Sequence, residues 1–168
     1  MLVKLDDRMK IDRIFQFEAE IARQFALERY DVLDTVEEYR FDQITMAVKS
    51  ALDVPIVAIS LLDGKRLWFK SKIGFEASEV PRDNTFCNHA IGQNCSMIIE
   101  DATLDPKFKD HPSVTAFPFL RSYVGVPLTT PDGHNIGTLS ALDVVPRQLG
   151  HSKIELIEQL AELVIHEL

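Results

Sequence analysis

Apolar residues recur at helical spacing in three parts of the chain, and each part predicts an amphipathic helix. The first predicted helix covers residues 8–30, which contain no Pro or Gly. The second covers residues 36–52, with Asp34 or Thr35 as candidates for its N-cap. The third covers residues 152–168 at the end of the chain. Helices are therefore expected towards both ends, and the middle of the chain follows a different pattern.

The middle of the chain alternates between strand-like apolar stretches and turn signals. Five strands are predicted, at residues 56–62, 66–73, 97–99, 122–129 and 135–143. The first of them is apolar on both faces, as in a central strand that is covered on both sides. Asp63-Gly64 and Asp132-Gly133 mark the turns of two hairpins. Hairpins predict an antiparallel sheet, so the fold class is α+β, a sandwich in which the terminal helices cover one face.

A long irregular segment, residues 76–120, is expected to cover the other face of the sheet. Its Pro residues interrupt regular structure, and it carries one short predicted helix, capped by Asn84 or Thr85 and extending to Ile91. A segment of this length inside a compact domain is usually functional. Lying across a sheet, it is expected to enclose a ligand cavity.

The last helix carries two apolar stripes, although one is enough to pack a helix on its own domain. The second stripe, Leu156, Leu160 and Leu163, predicts another buried surface, formed with a partner chain or a downstream helix. We expect a homodimer through the terminal helices, with these interface residues: Ile14, Ile21, Ile154, Ile157, Ala161, Val164 and Leu168. The alternative is that the helices cover only their own domain. An apolar seam that runs to the last residue favours a natural chain that continues further.

Charge and cysteine content restrict the function. The chain has 18 basic and 26 acidic residues, a net charge of −8, and no basic cluster, so binding to nucleic acid or to an anionic membrane surface is not expected. Its apolar runs fall short of the roughly 20 residues that a membrane span needs. The N-terminus lacks the features of a signal peptide. Two cysteines are too few for a disulfide scaffold and are typical of a reducing, cytoplasmic protein.

Several short stretches follow one another in the order and spacing of a known family. They are residues 28–35 (ERYDVLDT), 40–45 (RFDQIT), 54–63 (VPIVAISLLD), 66–74 (RLWFKSKIG), 81–91 (PRDNTFCNHAI), 101–102 (DA) and 137–139 (GTL). Over about residues 25–147 the chain resembles a GAF domain, of the subgroup found in bacterial sensor histidine kinases and diguanylate cyclases. The resemblance implies a six-stranded antiparallel sheet, a ligand cavity under the irregular segment, and dimerisation through the terminal helices. It divides the chain into an N-terminal signalling and dimerisation helix (residues 1–24) and the GAF domain (residues 25–168).

Side chains expected to line such a cavity combine aromatic rings with polar groups. Arg82 is a candidate for holding an anion, and Trp68 or Phe86 for stacking on a ring. The full set of candidate ligand contacts is Trp68, Arg82, Asp83, Phe86, Cys87, His89, Asp101 and Tyr123. For each residue the alternative is structural: Trp68 as plain core, for example, or Arg82 and Asp83 as braces of the irregular segment.

Other ligand chemistries are less well matched. Bilin-carrying GAF domains commonly have His directly after the attachment Cys, whereas Asn88 separates Cys87 from His89. Cys87, His89, Cys95 and His111 lack the usual spacing of zinc ligands. Haem binding through a histidine has no better support. The Asn-Lys and Asp-Glu pairs of cyclic-nucleotide GAF domains do not occur. We therefore assign no metal site, and the cofactor is unknown.

The sequence thus predicts a bacterial sensory module that binds an unidentified small molecule and passes its state through the terminal helices to an output domain or partner protein. No catalytic residue is assigned, and the chain is not expected to be an enzyme. Two alternatives stay open. One is a thiol-based redox enzyme similar to free methionine sulfoxide reductase, using Cys87 and Cys95. The other is a dimerisation module with an empty or collapsed cavity.

Overall fold

The computed structural model describes residues 5–168, with side chains from Asp12 onward. Within that range it has five helices: α1 (Leu5–Glu28), α2 (Tyr39–Leu52), α3 (Phe86–Ala90), α4 (Pro112–Thr115) and α5 (His151–Glu167). Its six strands are β1 (Ile56–Asp63), β2 (Arg66–Ile73), β3 (Glu79–Pro81), β4 (Met97–Ile99), β5 (Ser122–Thr129) and β6 (Asn135–Asp143). The predicted helices and strands are confirmed to within a few residues. The sequence pattern did not predict β3 and α4, because three or four residues are too short to show a period.

The strands form one sheet in the order β3-β2-β1-β6-β5-β4, and all neighbouring strands are antiparallel. The predicted α+β class with a six-stranded antiparallel sheet is therefore confirmed. In the β1–β2 turn the Gly64 amide donates to Asp63 Oδ1 over 2.7 Å, and Arg66 Nε donates to Asp63 Oδ2 over 2.9 Å. These hydrogen bonds to Asp63 stabilise the turn and help to fix the register in which β1 and β2 pair.

The two faces of the sheet support separate apolar clusters. The helix-side core lies between the sheet and helices α1, α2 and α5, and includes Phe41, Ile59 and Leu139. The segment-side core lies between the sheet and the irregular segment, and includes Phe86 and Phe108. Nearly every residue of β1 and β6 is buried, so these central strands depend on both clusters.

Helix α2 begins later than predicted, and neither predicted cap is used. Its N-cap is Glu38, which makes no side-chain capping bond. Asp34 instead accepts hydrogen bonds from Arg66, and Thr35 Oγ1 accepts one from Lys70 Nζ over 2.7 Å. The Lys70 side chain is completely buried, and a buried ammonium requires oxygen partners. Thr35 therefore accepts a hydrogen bond from the buried ammonium of Lys70 instead of capping α2.

Helix α5 packs on its own domain through the residues that were predicted to form a dimer seam. Ile157, Ala161 and Val164 are buried in the helix-side core, and for these three residues the predicted dimer interface is wrong. Ile154 and Leu168 are half-buried. The second stripe of α5 is the more exposed one, at Leu156 and Leu163, and Ile14 and Ile21 of α1 are also exposed. A single sequence does not show which of two apolar stripes faces the sheet, because both have helical spacing.

The irregular segment is held together by two short capped helices. Thr85, one of the two predicted caps, is the N-cap of α3, where its hydroxyl accepts from the Asn88 amide over 3.1 Å. His111 caps α4, where its Nδ1 accepts from the Ser113 amide over 3.1 Å. The Phe86 and Phe108 rings stack, with their centroids 4.5 Å apart. These contacts give the segment a defined shape over the sheet.

None of the helices among residues 5–168 is long and apolar enough to cross a membrane.

Candidate functional site

A cavity of about 530 Å³ lies between the sheet and the irregular segment. This volume is within the range of pockets that hold small molecules. Its walls come from β1, β2, β5 and β6 on one side, and from both halves of the irregular segment on the other. The lining residues are Ile56, Ala58, Leu67, Phe69, Phe75, Val80, Pro81, Asp83, Asn84, Thr85, Phe86, Cys87, His111, Pro112, Ser113, Pro118, Leu120, Tyr123, Ser140 and Leu142.

Half of the candidate ligand contacts line this cavity. Asp83, Phe86, Cys87 and Tyr123 do so, and Arg82, His89, Asp101 and Trp68 do not. The placement of Trp68 follows from strand alternation. Its side chain lies in the helix-side core and is 7 % exposed, whereas its neighbours Leu67 and Phe69 face the cavity. Trp68 is therefore a core residue, and the prediction that it contacts a ligand is wrong.

Arg82 is turned away from the cavity and joins two helices. Its Nη2 donates to Glu20 Oε2 of α1 over 3.3 Å, and its Nε donates to Asn88 Oδ1 of α3 over 2.7 Å. The same carboxylate accepts from Arg23, whose Nη2 lies 2.8 Å from Glu20 Oε1. Burial raises the pKa of Glu20, but the hydrogen bonds from Arg23 and Arg82 outweigh it and hold that pKa at about 2. The structure thus places Arg82 as a brace, and its predicted role as an anion ligand is wrong.

Residues 83–87, which we call the wall segment, are held at both ends by Arg82. Residues 83–87 all line the cavity, and the side-chain bond between Arg82 and Asn88 spans them. Asn84 within the segment has a φ of 60°, a left-handed conformation that Asn tolerates better than most residues. Its carbonyl accepts from His111 Nε2, which ties the wall segment to the second half of the irregular segment. One face of the cavity is therefore a short, braced piece of chain.

Cys87 and Tyr123 meet at the inner end of the cavity. Tyr123 is almost fully buried, and its hydroxyl donates to Cys87 Sγ over 3.5 Å. Burial raises the pKa of Tyr123 well above its ordinary value of 10, and Cys87 raises it further. A Cβ at position 125 would overlap the Tyr123 ring, so Gly125 provides the space that this ring occupies. The tyrosine is therefore a neutral hydrogen-bonding group in an apolar wall.

His89 and Asp101 have local structural contacts outside the cavity. His89 approaches Phe108 edge-on, with ring centroids 5.3 Å apart. Burial lowers the pKa of His89 below its ordinary value of 6.5, and the nearby charges of Lys107 and His111 lower it further. Asp101 Oδ1 accepts from the amide of Thr103 over 3.0 Å and from its hydroxyl over 2.6 Å, forming a turn.

The cysteines and histidines do not converge on one centre. Among the residues with described side chains, no group of three or more His, Cys, Asp or Glu is placed to hold a metal ion. Cys87 is buried in the segment-side core, whereas Cys95 is exposed in a groove beside Glu158 and Glu162 of α5. The geometry therefore does not bring together the thiol pair that the redox alternative requires.

Sequence reasoning missed most of the apolar lining of the cavity. The residues it did not name include Ile56, Leu67, Phe69, Ser140 and Leu142, all on the sheet. Strand alternation is the signal that leads to them, because residues two apart on a strand share a face. Once Tyr123 or Leu67 is assigned to the cavity face, the other strand residues follow from register.

The comparison with known families agrees with this architecture. The sequence model for the GAF domain matches residues 37–168, which is most of the chain. The chain belongs to the GAF domain family.

A curated relative and two solved structures illustrate the range of similar proteins. The chain is 37 % identical over 149 residues to a cyclic di-GMP phosphodiesterase from Pseudomonas aeruginosa; the match covers 88 % of this chain and 25 % of that protein. The fold is similar to type II free methionine-R-sulfoxide reductase from Thermoplasma acidophilum, with TM-score 0.64, 17 % identity, and coverage of 76 % of this chain and 89 % of that one. It is also similar to residues 122 to 287 of a methyl-accepting chemotaxis protein, with TM-score 0.60 and 18 % identity. That match covers 75 % of this chain and 84 % of the other. At these identities the two structures establish the fold alone.

These comparisons overturn the expectation that the chain is not an enzyme. The curated relative is named as a phosphodiesterase and one structural neighbour is a reductase. Similar proteins therefore include enzymes. The chain spans 25 % of the length of the phosphodiesterase, so the named activity is a property of that larger protein.

The lowered pKa of His89 predicts a loss of stability in mild acid. A histidine whose folded pKa lies below its unfolded value favours the folded state less once it is protonated. The free energy of unfolding should therefore fall as the pH drops below 6.5 and through the folded pKa of His89. The His89→Gln variant should show a smaller difference between urea unfolding at about pH 8 and at about pH 5.5. The control is His151→Gln, because the His151 side chain is 86 % exposed. An equal loss in wild type and His89→Gln would contradict the prediction.

Proposed function

We propose that this GAF domain is a signalling module in which a small molecule in the cavity changes how the wall segment is held against α1. The observation that carries the proposal is that Arg82 donates hydrogen bonds to two partners. One is Glu20 of α1, and the other is Asn88, directly after the wall segment. A ligand that displaces residues 83–87 acts directly on this connection. The module then passes its state to a longer protein or to a partner.

The connection has the properties that a transmitting contact needs. Glu20 accepts from both Arg23 and Arg82, so it keeps one charged partner when the other moves. Arg23 is buried, and its Nη1 has no hydrogen-bond partner among the described residues. An unsatisfied buried donor makes this arrangement less favourable than a fully bonded one. Moving the wall segment therefore costs less free energy here than it would if every donor of Arg23 and Arg82 were hydrogen-bonded.

A ligand shifts such an equilibrium only by binding the two arrangements with different affinity. The geometry supports such a difference in affinity, because the wall segment lines the cavity and is flanked directly by the braced residues Arg82 and Asn88. The coupling is reciprocal, so changes in α1 must also alter the wall segment. This reciprocity can be tested before the ligand is known.

The relatives support a role within a larger assembly. The chain spans a quarter of the curated phosphodiesterase, and a domain of a chemotaxis protein has a similar fold. In both cases the similar region is part of a longer protein. We propose that α1 and α5 connect this domain to such an output.

The Glu20→Gln variant should loosen the wall segment from a distance. Loss of the carboxylate charge weakens the hydrogen bond to Arg82, so amide exchange in residues 83–87 should become about tenfold faster. This factor corresponds to the lower end of the free energy that a hydrogen bond to a charged group contributes, as suits a partly exposed site. Hydrogen exchange with mass spectrometry measures this. Glu18→Gln, on the exposed side of the same helix, is the matched control. Unchanged exchange in Glu20→Gln would contradict the proposed connection.

The cavity should carry an occupant that a filling substitution excludes. Ala58 lies buried in the cavity wall, so Ala58→Phe directs a ring into the free volume. Native mass spectrometry of the purified wild type should show mass above that of the polypeptide, and Ala58→Phe should lose it. Ile98→Phe, at an exposed position on β4, should keep it. Bare polypeptide masses in wild type and variants alike would count against ligand sensing.

We further propose that α1 pairs with α1 of a second copy. Among the α1 residues from Asp12 onward, four large apolar side chains are exposed along one face: Ile14, Phe17, Ile21 and Phe25. Their spacing of three and four residues forms a continuous stripe, opposite the face that carries the buried residues Ala26 and Leu27. An aromatic-rich stripe of this kind is typical of a protein–protein contact. It replaces the α5 seam as the proposed dimer surface.

A charge in this stripe should separate the dimer into monomers. Phe25 is 60 % exposed, so Phe25→Glu removes apolar contact without disturbing the core. Light scattering coupled to gel filtration should show half the wild-type mass. Met46→Glu is the control, because Met46 is 51 % exposed on α2 and outside the stripe. A wild-type monomer, or a dimer that persists in Phe25→Glu, would contradict pairing through α1.

A further inference from the structure

We infer that the cavity selects uncharged, largely apolar molecules and rejects anions, including phosphates and carboxylates. This inference rests on the proposed function in one respect, which is that the cavity is the ligand site. It goes further by naming the chemical class of the occupant from the charges and hydrogen bonds of the walls.

The inner walls of the cavity are apolar. Ile56, Leu67, Phe69 and Leu142 contribute the sheet side, and Phe86 and Leu120 contribute part of the opposite side. Side chains of this kind favour an occupant that buries apolar surface. An aromatic or aliphatic body therefore suits the interior better than a sugar or a phosphate.

The cavity offers no lysine or arginine side chain to an anion. Among the described residues that line it there is no Lys and no Arg, and Asp83 places a carboxylate there. Asp83 is exposed, which puts its charge at the mouth of the cavity, where it repels an entering anion. An anion buried without a paired charge loses its hydration and gains little in return.

The two arginines beside the lining residues are already bonded. Arg82 donates to Glu20 and Asn88, as described above. Arg121 Nη1 donates to the backbone carbonyls of Val114, Phe119 and Leu120, over 2.9 to 3.1 Å. Turning either guanidinium into the cavity would break these bonds. Neither arginine is therefore available to neutralise a ligand.

Three neutral donors around the cavity are also bonded to protein acceptors. The Ser113 amide donates to His111 Nδ1, and His111 Nε2 bonds to the Asn84 carbonyl. Both ring nitrogens of His111 are therefore engaged with protein atoms, Nδ1 as an acceptor and Nε2 with a carbonyl. The Tyr123 hydroxyl donates to Cys87 Sγ. An anion needs several donors, whereas an uncharged molecule with one hydroxyl or carbonyl group does not.

Two fluorescent dyes with the same aromatic skeleton test the effect of ligand charge separately from the effect of ligand shape. N-Phenyl-1-naphthylamine is uncharged, and 8-anilino-1-naphthalenesulfonate is the same skeleton with one sulfonate. Both gain fluorescence in apolar surroundings, so each can be titrated into the full chain. The uncharged dye should bind at least about tenfold more tightly than the sulfonate. Binding should be lost in Ala58→Phe and in Leu142→Trp, a second filling variant, and retained in Ile98→Phe.

The outcomes separate this inference from the proposed function. Equal or tighter binding of the sulfonate, lost in the filling variants, would overturn the charge selectivity and leave the cavity as the ligand site. Uncharged dye that binds equally well to both filling variants would lie outside the cavity and would also overturn the inference. Failure of the uncharged dye to bind wild type would do the same. The proposed function is decided independently, by the mass of the purified protein and by exchange in Glu20→Gln.

Discussion

The central strands β1 and β6 are buried on both faces, so the sheet must be covered twice. Ser60 and Thr138 illustrate how strict this burial is: their hydroxyls bond each other over 2.9 Å between the two strands, out of contact with water. Regular helices α1, α2 and α5 cover one face closely. The irregular segment covers the other less completely and leaves the cavity of about 530 Å³. The candidate site is thus the consequence of covering one sheet with two different kinds of layer.

The two layers are joined at a point where charge replaces apolar packing. Glu20 of α1 meets Arg82 at the start of the wall segment, although the two residues are 62 positions apart in the chain. Tight packing elsewhere resists small displacements, because a core tolerates few voids. A hydrogen-bonded ion pair at a partly exposed position can exchange partners with less disruption. The contact that links the cavity wall to a terminal helix is therefore of a kind that can change without opening the core.

The same fold occurs in proteins with different functions. The same architecture occurs in a reductase and in a chemotaxis protein, at identities that establish only the fold. In this chain the cavity has apolar walls and one carboxylate at its mouth, and the neighbouring arginines are directed elsewhere. Arg82 shows why the residue type alone is a poor guide. Its charge indicated an anion site, and its position makes it a brace.

Local patterns in the sequence were enough to predict the longer helices and strands, because helical and strand periods are local properties of the chain. Phe41, Ile44 and Val48 predicted α2, and Asp63-Gly64 predicted the first hairpin. The order of these elements was enough for the α+β class. Tertiary structure alone decided orientation and pairing: Ile157 rather than Leu156 faces the core, Leu67 rather than Trp68 faces the cavity, and Arg82 binds Glu20. Both stripes of α5 have helical spacing, and β2 carries large apolar side chains on both faces, so only contacts between distant parts of the chain distinguish them.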